Sequence, residues 1–391
     1  MEKTRRTDND DVAEEIRPPT RRTIGITTPY LIKSNHTVKQ APALLQDFRN
    51  ILIIKPSSLG DVVRSAPLFH GLRDRYPHAT ISWVIRPDCA PLLDLLPGLH
   101  EPILFDRRTF ARMGRSLSAT RALIAFLRNL RNRRFDLVLD LQGLFRSGFF
   151  SRATAAPLRL GFAHAREMAP IFYTHRIACL SGEHVVESLW RFADCLGFGQ
   201  FQMRFDLTTD PAAEANARDI LHRAGLSADD PYTVMLPGGS ECSKRWSPSG
   251  FGRLADGLRH DYHLPTVLLG AGETERQIAQ EVGHVAQGGI VNLIDQTSLP
   301  QLTAILKSAR LVVGNDSGPL HIAAALGVPL VALYGPTDPR VVGPFGHSDG
   351  VVEAGAETPR TARYSRRLEH RIDAITPQQI TRAIDKKLCR N

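Results

Sequence analysis

The stretch Ile51-Leu52-Ile53-Ile54 is apolar at every position and runs straight into the turn Pro56-Ser57-Ser58-Leu59-Gly60, with a helix expected from about Asp61. A strand with no polar face belongs inside a parallel sheet that is covered on both sides. Parallel neighbours in turn require crossover helices, so this feature alone points to α/β architecture. The pattern recurs. A strand is expected over 80–85, and then a helix from about Ser118 with Leu123, Phe126, Leu127 and Leu130 on one face. A further strand is expected over 135–141.

Turn formers at 206–211 interrupt the series, a connecting helix is expected through about Ala224, and a second βα series begins near Tyr232. Its strands are expected over 232–236, 266–269, 290–293, 311–313 and 330–333. Two of its helices have marked starts: Ser247 followed by Pro248, and Ser298 with Gln301 three residues on. The economical architecture is two doubly wound α/β domains facing a cleft. The expected division is a disordered extension over 1–48, a first domain over 49–210, a linker helix over 211–230, a second domain over 231–375 and a terminal helix over 376–391.

Composition narrows the function. With 42% hydrophobic and 23% charged residues the 391-residue chain reads as globular, and no apolar run is long enough for a membrane span. A charged N-terminus in place of an apolar leader makes cytoplasm the expected compartment, with peripheral contact at the inner face of the membrane. Five scattered cysteines without a Cys-x-x-Cys pair fit a reducing compartment and no structural zinc. The net charge of +9 is focused: nine arginines and no acid lie between Arg107 and Arg134. Such a block is a solvated helix face or a surface for nucleic acid, phosphorylated lipid or an anionic membrane. Nucleic acid is disfavoured, because only Phe110 and Phe126 interleave the arginines.

Ligands of open parallel sheets bind at the carboxyl ends of strands. Four loops there carry glycine, hydroxyl and charge: 55–61, 237–244, 270–275 and 314–321. Gly238-Gly239-Ser240 allows backbone amides to approach a phosphate, and Lys244 follows with positive charge. Asp316, Ser317, Gly318 and His321 open a helix whose unpaired amides favour an anion such as a nucleotide-sugar diphosphate. A cap needs one such residue; this stretch supplies several. Asp61 sits at a helix start, either as a dipole-favoured acid or as a general base facing the cleft. The sole Asp-x-Asp, at Asp8 and Asp10, lies in the extension, so no metal ion or other cofactor is expected.

These residues resemble glycosyltransferase family 9, the ADP-heptose:lipopolysaccharide heptosyltransferases, from about Ile51 to Ile384. The resemblance rests on Lys55-Pro56-Ser57-Ser58-Leu59-Gly60-Asp61-Val62, Asp140-Leu141-Gln142-Gly143-Leu144, Gly238-Gly239-Ser240, Lys244-Arg245-Trp246, Gly314 to His321 and Leu333 to Pro339. It implies the GT-B fold, an N-terminal acceptor domain, a C-terminal nucleotide-sugar domain and a terminal helix packed back on the first domain. It further implies Asp61 as catalytic base, Lys244 on the donor phosphates, and Asp316, Ser317, Gly318 and His321 lining the donor site. A nucleoside-binding glutamate is implied in the loop that holds Glu273 and Glu275, either of which fits. Ser57, Ser58, Gly60, Gln142 and Arg166 are expected on the acceptor side, with Arg128, Arg131 and Arg134 meeting lipid A phosphates. Ala165-Arg166-Glu167 and Tyr173 look most like the subfamily that adds the first heptose to Kdo-lipid A. The alternative is a relative adding a later heptose or another sugar. The extension and the loop Gly238-Gly239-Ser240-Glu241 depart from the family pattern.

Overall fold

The computed structural model describes residues 46–112, 114–198, 202–227, 230–359 and 364–388. The first half holds strands β1 Asn50–Ile54, β2 Thr80–Ile85, β3 Glu101–Leu104, β4 Leu137–Asp140, β5 Leu158–Phe162 and β6 His175–Ile177. Its helices are α1 Leu59–Arg64, α2 Ala66–Arg75, α3 Arg107–Phe110, α4 Leu117–Asn132, α5 Phe145–Ala153 and α6 Val185–Cys195. A helix α7 over Pro211–Arg223 leads into the second half. There the strands are β7 Thr233–Leu236, β8 Thr266–Leu268, β9 Val291–Asn292, β10 Leu311–Asn315, β11 Leu330–Tyr334 and β12 Val351–Glu353. Helices α8 Pro248–Tyr262, α9 Glu273–Val285, α10 Leu299–Ser308, α11 Gly318–Ala325, α12 Pro339–Val342 and α13 Pro377–Leu388 complete it.

Both sheets are parallel and share one topology. The first runs β3-β2-β1-β4-β5-β6, and the second runs β12-β11-β10-β7-β8-β9, the same order counted within its own half. Strand order therefore reverses between β1 and β4 and again between β7 and β10, which is where a crevice opens at the carboxyl ends. Ile51 through Ile54 are fully buried, as a strand covered on both faces must be. The expected caps are also present: the Ser247 hydroxyl accepts from the Gly250 amide, and Ser298 forms a reciprocal box with Gln301.

Three expectations shift. The extension assigned to 1–48 lies outside the described residues up to 45, but Phe48 is buried against Tyr76 and belongs to the first core. Helix α1 begins at Leu59, two residues before the expected start, because the Ser58 backbone takes the cap position and Asp61 reaches back to its amide. Helix α13 does not pack back on the first half. Its apolar stripe of Ile380, Ala383 and Ile384 enters the cluster of Val313, Val331, Leu333 and Val352, because these strands of the second sheet leave an apolar face of matching width. The linking helix α7 likewise leans on the second half, with Lys307 Nζ 2.7 Å from Glu214 Oε1.

Candidate active site

At the two switch points a cleft of about 600 Å³ opens between the halves. Its walls are two helix starts meeting end to end, α1 after β1 and α11 after β10. Glycine makes the approach possible. A Cβ on Gly60 would lie 2.8 Å from His321 Cδ2, and one on Gly318 would lie 2.7 Å from Leu59 Cβ.

From the first half, Asp61 enters the cleft with a side chain 28% exposed. Its Oδ1 accepts from Arg64 Nη1 at 3.2 Å, and Lys55 Nζ stands 3.8 Å from Oδ2. Arg64 also crosses the cleft: Nη2 is 2.9 Å from His321 Nε2. A guanidinium only donates, so Nε2 is the acceptor and His321 is the neutral Nδ1–H form. Its pKa agrees with this. Complete burial lowers it to about 4, helped by the Arg64 charge and opposed by Asp316.

From the second half, Asp316 is held from several sides. Lys244 Nζ donates to Oδ2 at 2.9 Å, the Thr337 hydroxyl at 3.0 Å, and the Tyr334 hydroxyl to Oδ1 at 3.3 Å. Burial raises its pKa, but the Lys244 ammonium and its hydrogen bond oppose burial, and the carboxyl lies well below the usual range. Asn315 fixes the same junction by donating to Pro237 O at 2.7 Å and accepting from the Trp246 amide at 3.2 Å. Ser317, which lines the cleft, precedes α11 with a buried hydroxyl that has no hydrogen-bond partner in the protein.

Gly238, Gly239, Ser240 and Lys244 line the cleft, and of the two glutamates it is Glu275 that does so. Glu275 lies on the wall, where a Cβ on Gly238 would sit 2.5 Å from its Oε1. Glu273 instead pairs with Arg276 at the surface, its side chain 68% exposed. Ser57, Ser58 and Gly60 also line the cleft.

Gln142 and Arg166 lie together at the carboxyl ends of β4 and β5. Buried Asp140 accepts from the amides of Gln142 and Gly143 and from the Tyr173 hydroxyl at 2.7 Å, and Arg166 N donates to Gly143 O.

The arginine block does not sit at one place. Helix α4 runs antiparallel to the strands, so its last turn lies at their amino ends, remote from the cleft. Asn50 Nδ2 donates to Arg133 O there, and Arg133 pairs with Glu101 at the start of β3. Arg131 and Arg134 line a separate recess with Phe135, Thr154 and Ala155. Arg128, one turn earlier, is also outside the cleft lining. These three arginines, expected on the acceptor side, therefore lie outside the cleft lining, and the reason is helix direction. Sequence reasoning also missed Arg64, whose spacing of three from Asp61 on one helix was the available signal, and Thr337 and Tyr334, which lie within the Leu333 to Pro339 motif.

Among the described residues no group of three or more His, Cys, Asp or Glu is placed to hold a metal ion. No helix among them is long and apolar enough to cross a membrane.

Twin parallel sheets of one topology, facing each other helix start to helix start across a cleft, make the GT-B arrangement. The family model for glycosyltransferase family 9 (heptosyltransferase) matches residues 123–371. The chain belongs to that family. It is 24% identical to the lipopolysaccharide core heptosyltransferase OpsX of Haemophilus influenzae, over 81% of this chain and 87% of that protein. Lipopolysaccharide heptosyltransferase 1 of Salmonella typhimurium is 29% identical over 76% of this chain and 91% of its own length. Among solved structures, Escherichia coli heptosyltransferase WaaC with ADP-2-deoxy-2-fluoro heptose superposes with a TM-score of 0.68 at 25% identity, covering 86% of this chain and 99% of that one.

Proposed function

We propose that the chain moves a heptose from ADP-heptose to the Kdo/lipid A inner core of lipopolysaccharide, with inversion and without a metal ion. The observation that carries this reading is the division of the cleft: one part-exposed carboxylate on the first half faces a helix start flanked by Lys244 and hydroxyls on the second. Asp61 takes the proton of an acceptor hydroxyl. The freed oxygen attacks the anomeric carbon opposite the ADP, the bond to the β-phosphate oxygen breaks, and its electron pair leaves with the diphosphate. Lys244, the Ser317 hydroxyl and the first amides of α11 meet that charge in a site fixed before substrate arrives. Glu275 is assigned to the nucleoside. Gln142 and Arg166 are assigned to the acceptor, together with Arg107, Arg108, Arg112 and Arg115, the part of the block that follows β3 at the cleft end of the sheet.

The relatives named above support a lipopolysaccharide acceptor. A transferase of the same family adding a later heptose or another sugar is the alternative. Incubation with separate nucleotide-sugars and either Kdo-lipid A or its monoheptosylated form, read by product mass, decides. One heptose added to Kdo-lipid A from ADP-heptose alone is expected. Transfer only to the monoheptosylated acceptor selects the alternative, and transfer only from another nucleotide-sugar contradicts the proposed donor.

A further inference from the structure

The two faces of the first sheet differ in charge. Helices α2 and α6, on one face, mix acids with bases. Helices α3, α4 and α5, on the other, contain no acidic residue. The exposed stripe of α4 runs Leu117, Arg121, Ile124 and Arg128, at intervals of four, three and four that keep all of them on one side. Leu117 is 80% exposed and Ile124 42%. Helix α5 repeats the arrangement with Phe145, Arg146, Phe149 and Arg152. Beside it the turn Ala169–Phe172 brings up Ile171, 57% exposed, with Met168 preceding it at 69%. These pieces are locked together. A Cβ on Gly148 would lie 2.8 Å from Phe172 Cδ2, and the Phe172 ring contacts Phe145 and Phe149 with centroids 5.1 and 6.3 Å apart.

Large apolar side chains held outward at this density mark an interaction surface. Their alternation with arginine says which kind. A nucleic acid would use the arginines and the rings but gains nothing from Leu117, Ile124, Met168 and Ile171. A second copy of this chain would set arginine against arginine. An anionic bilayer uses both sets at once, taking the apolar tips below the headgroups while the guanidinium groups pair with lipid phosphates.

We propose that the outer layer of α3, α4, α5 and the 169–172 turn is a docking face for an anionic lipid bilayer. Phe145, Met168 and Ile171 lie at the end of this face nearest Gln142 and Arg166. A protein seated this way therefore holds the acceptor edge of the cleft at the headgroup level. The proposal is independent of which sugar is transferred.

The test is co-sedimentation of the full chain with vesicles of phosphatidylcholine alone or of an equal mixture with phosphatidylglycerol, neither containing acceptor. The wild type is expected to bind the anionic vesicles and to be released by salt. Met168→Ser combined with Ile171→Ser should lower binding by at least about fivefold, because two apolar tips no longer leave water. Arg121→Gln combined with Arg128→Gln should weaken it by roughly tenfold or more and flatten the salt dependence. Both variants should keep the wild-type melting temperature and ADP affinity, which separates lost docking from lost folding. Equal binding to neutral and anionic vesicles, or undiminished binding by both variants, overturns the proposal. So does binding of a mixed-sequence RNA in place of vesicles, or a dimer that the Met168→Ser/Ile171→Ser variant abolishes.

Discussion

The two helix starts that meet in the cleft are built alike and loaded differently. Each follows a central strand, each carries a glycine where the other approaches, and each supplies one carboxylate. Asp61, on the first, is 28% exposed while it also meets Ser58, Arg64 and Lys55. Asp316, on the second, is 8% exposed and takes Lys244, Thr337 and Tyr334 onto its oxygens. A carboxylate that keeps an exposed side can be reached by a substrate hydroxyl, whereas one enclosed in the protein cannot. The proposed function rests on this difference: it gives the chemistry to the first helix start and the holding of the donor to the second.

The largest expected effect breaks that comparison at its catalytic end. Asp61→Asn keeps the size and the cap but cannot accept a proton, so turnover should fall by ~10²- to 10⁴-fold. Rates at saturating substrates would check it, and retention of more than about a tenth of the activity would remove Asp61 from the role of base. At the architectural end, Asp316→Asn leaves the largely covered Lys244 ammonium without its counter-charge. Breaking such a pair costs about 3 kcal/mol, so urea unfolding should shift markedly, and donor affinity should weaken with it. An Asp316→Asn protein as stable as the wild type would show that the enclosure is not structural.

A smaller effect concerns His321. Its folded-state pKa of about 4 lies below the ordinary 6.5, so the unfolded chain takes up a proton that the folded chain refuses. Stability is therefore full above pH 6.5 and declines as pH falls toward 4, by about 2 kcal/mol at pH 5. Burial lowers His70 and His347 in the same direction, so the share of His321 must be isolated. Unfolding midpoints of wild type and His321→Gln at pH 7.5 and 5 do this, since the amide oxygen can still accept from Arg64. An equal acid loss in both proteins would contradict the assignment. The smallest effect is none: EDTA should leave ADP-heptose affinity and turnover unchanged, because Lys244, hydroxyls and amides are assigned the phosphate charge. Strict dependence on Mg²⁺ or Mn²⁺ would contradict the metal-free step.

Much of this was legible in the sequence because it is local. The apolar run at Ile51 to Ile54, the caps at Ser247 and Ser298, and the carboxyl-end loops with Asp61, Lys244 and Asp316 all follow from neighbours within a few residues. What escaped depends on direction or phase. Whether Glu273 or Glu275 faces the cleft is set by the rotation of α9, which begins at Glu273 itself. The split of the arginine block follows from α4 running away from the cleft, and no pattern in its composition records that. Arg64 and His321 are 257 positions apart and meet only because Gly60 and Gly318 let two helix ends touch. The seat of α13 depends on which sheet leaves an apolar face open, which its own amphipathic pattern does not say.

The division between the two helix starts is tested most directly by titrating ADP into Asp61→Asn and Lys244→Met and comparing each with the wild type. Asp61→Asn should bind within about twofold of the wild type, because its carboxylate is reserved for the acceptor. Lys244→Met should bind at least about tenfold more weakly, since a charge-assisted contact worth about 1.5 kcal/mol or more is lost. If Asp61→Asn lost ADP as severely as Lys244→Met, both helix starts would be parts of one donor site, and the assignment of Asp61 as the acceptor's base would be contradicted.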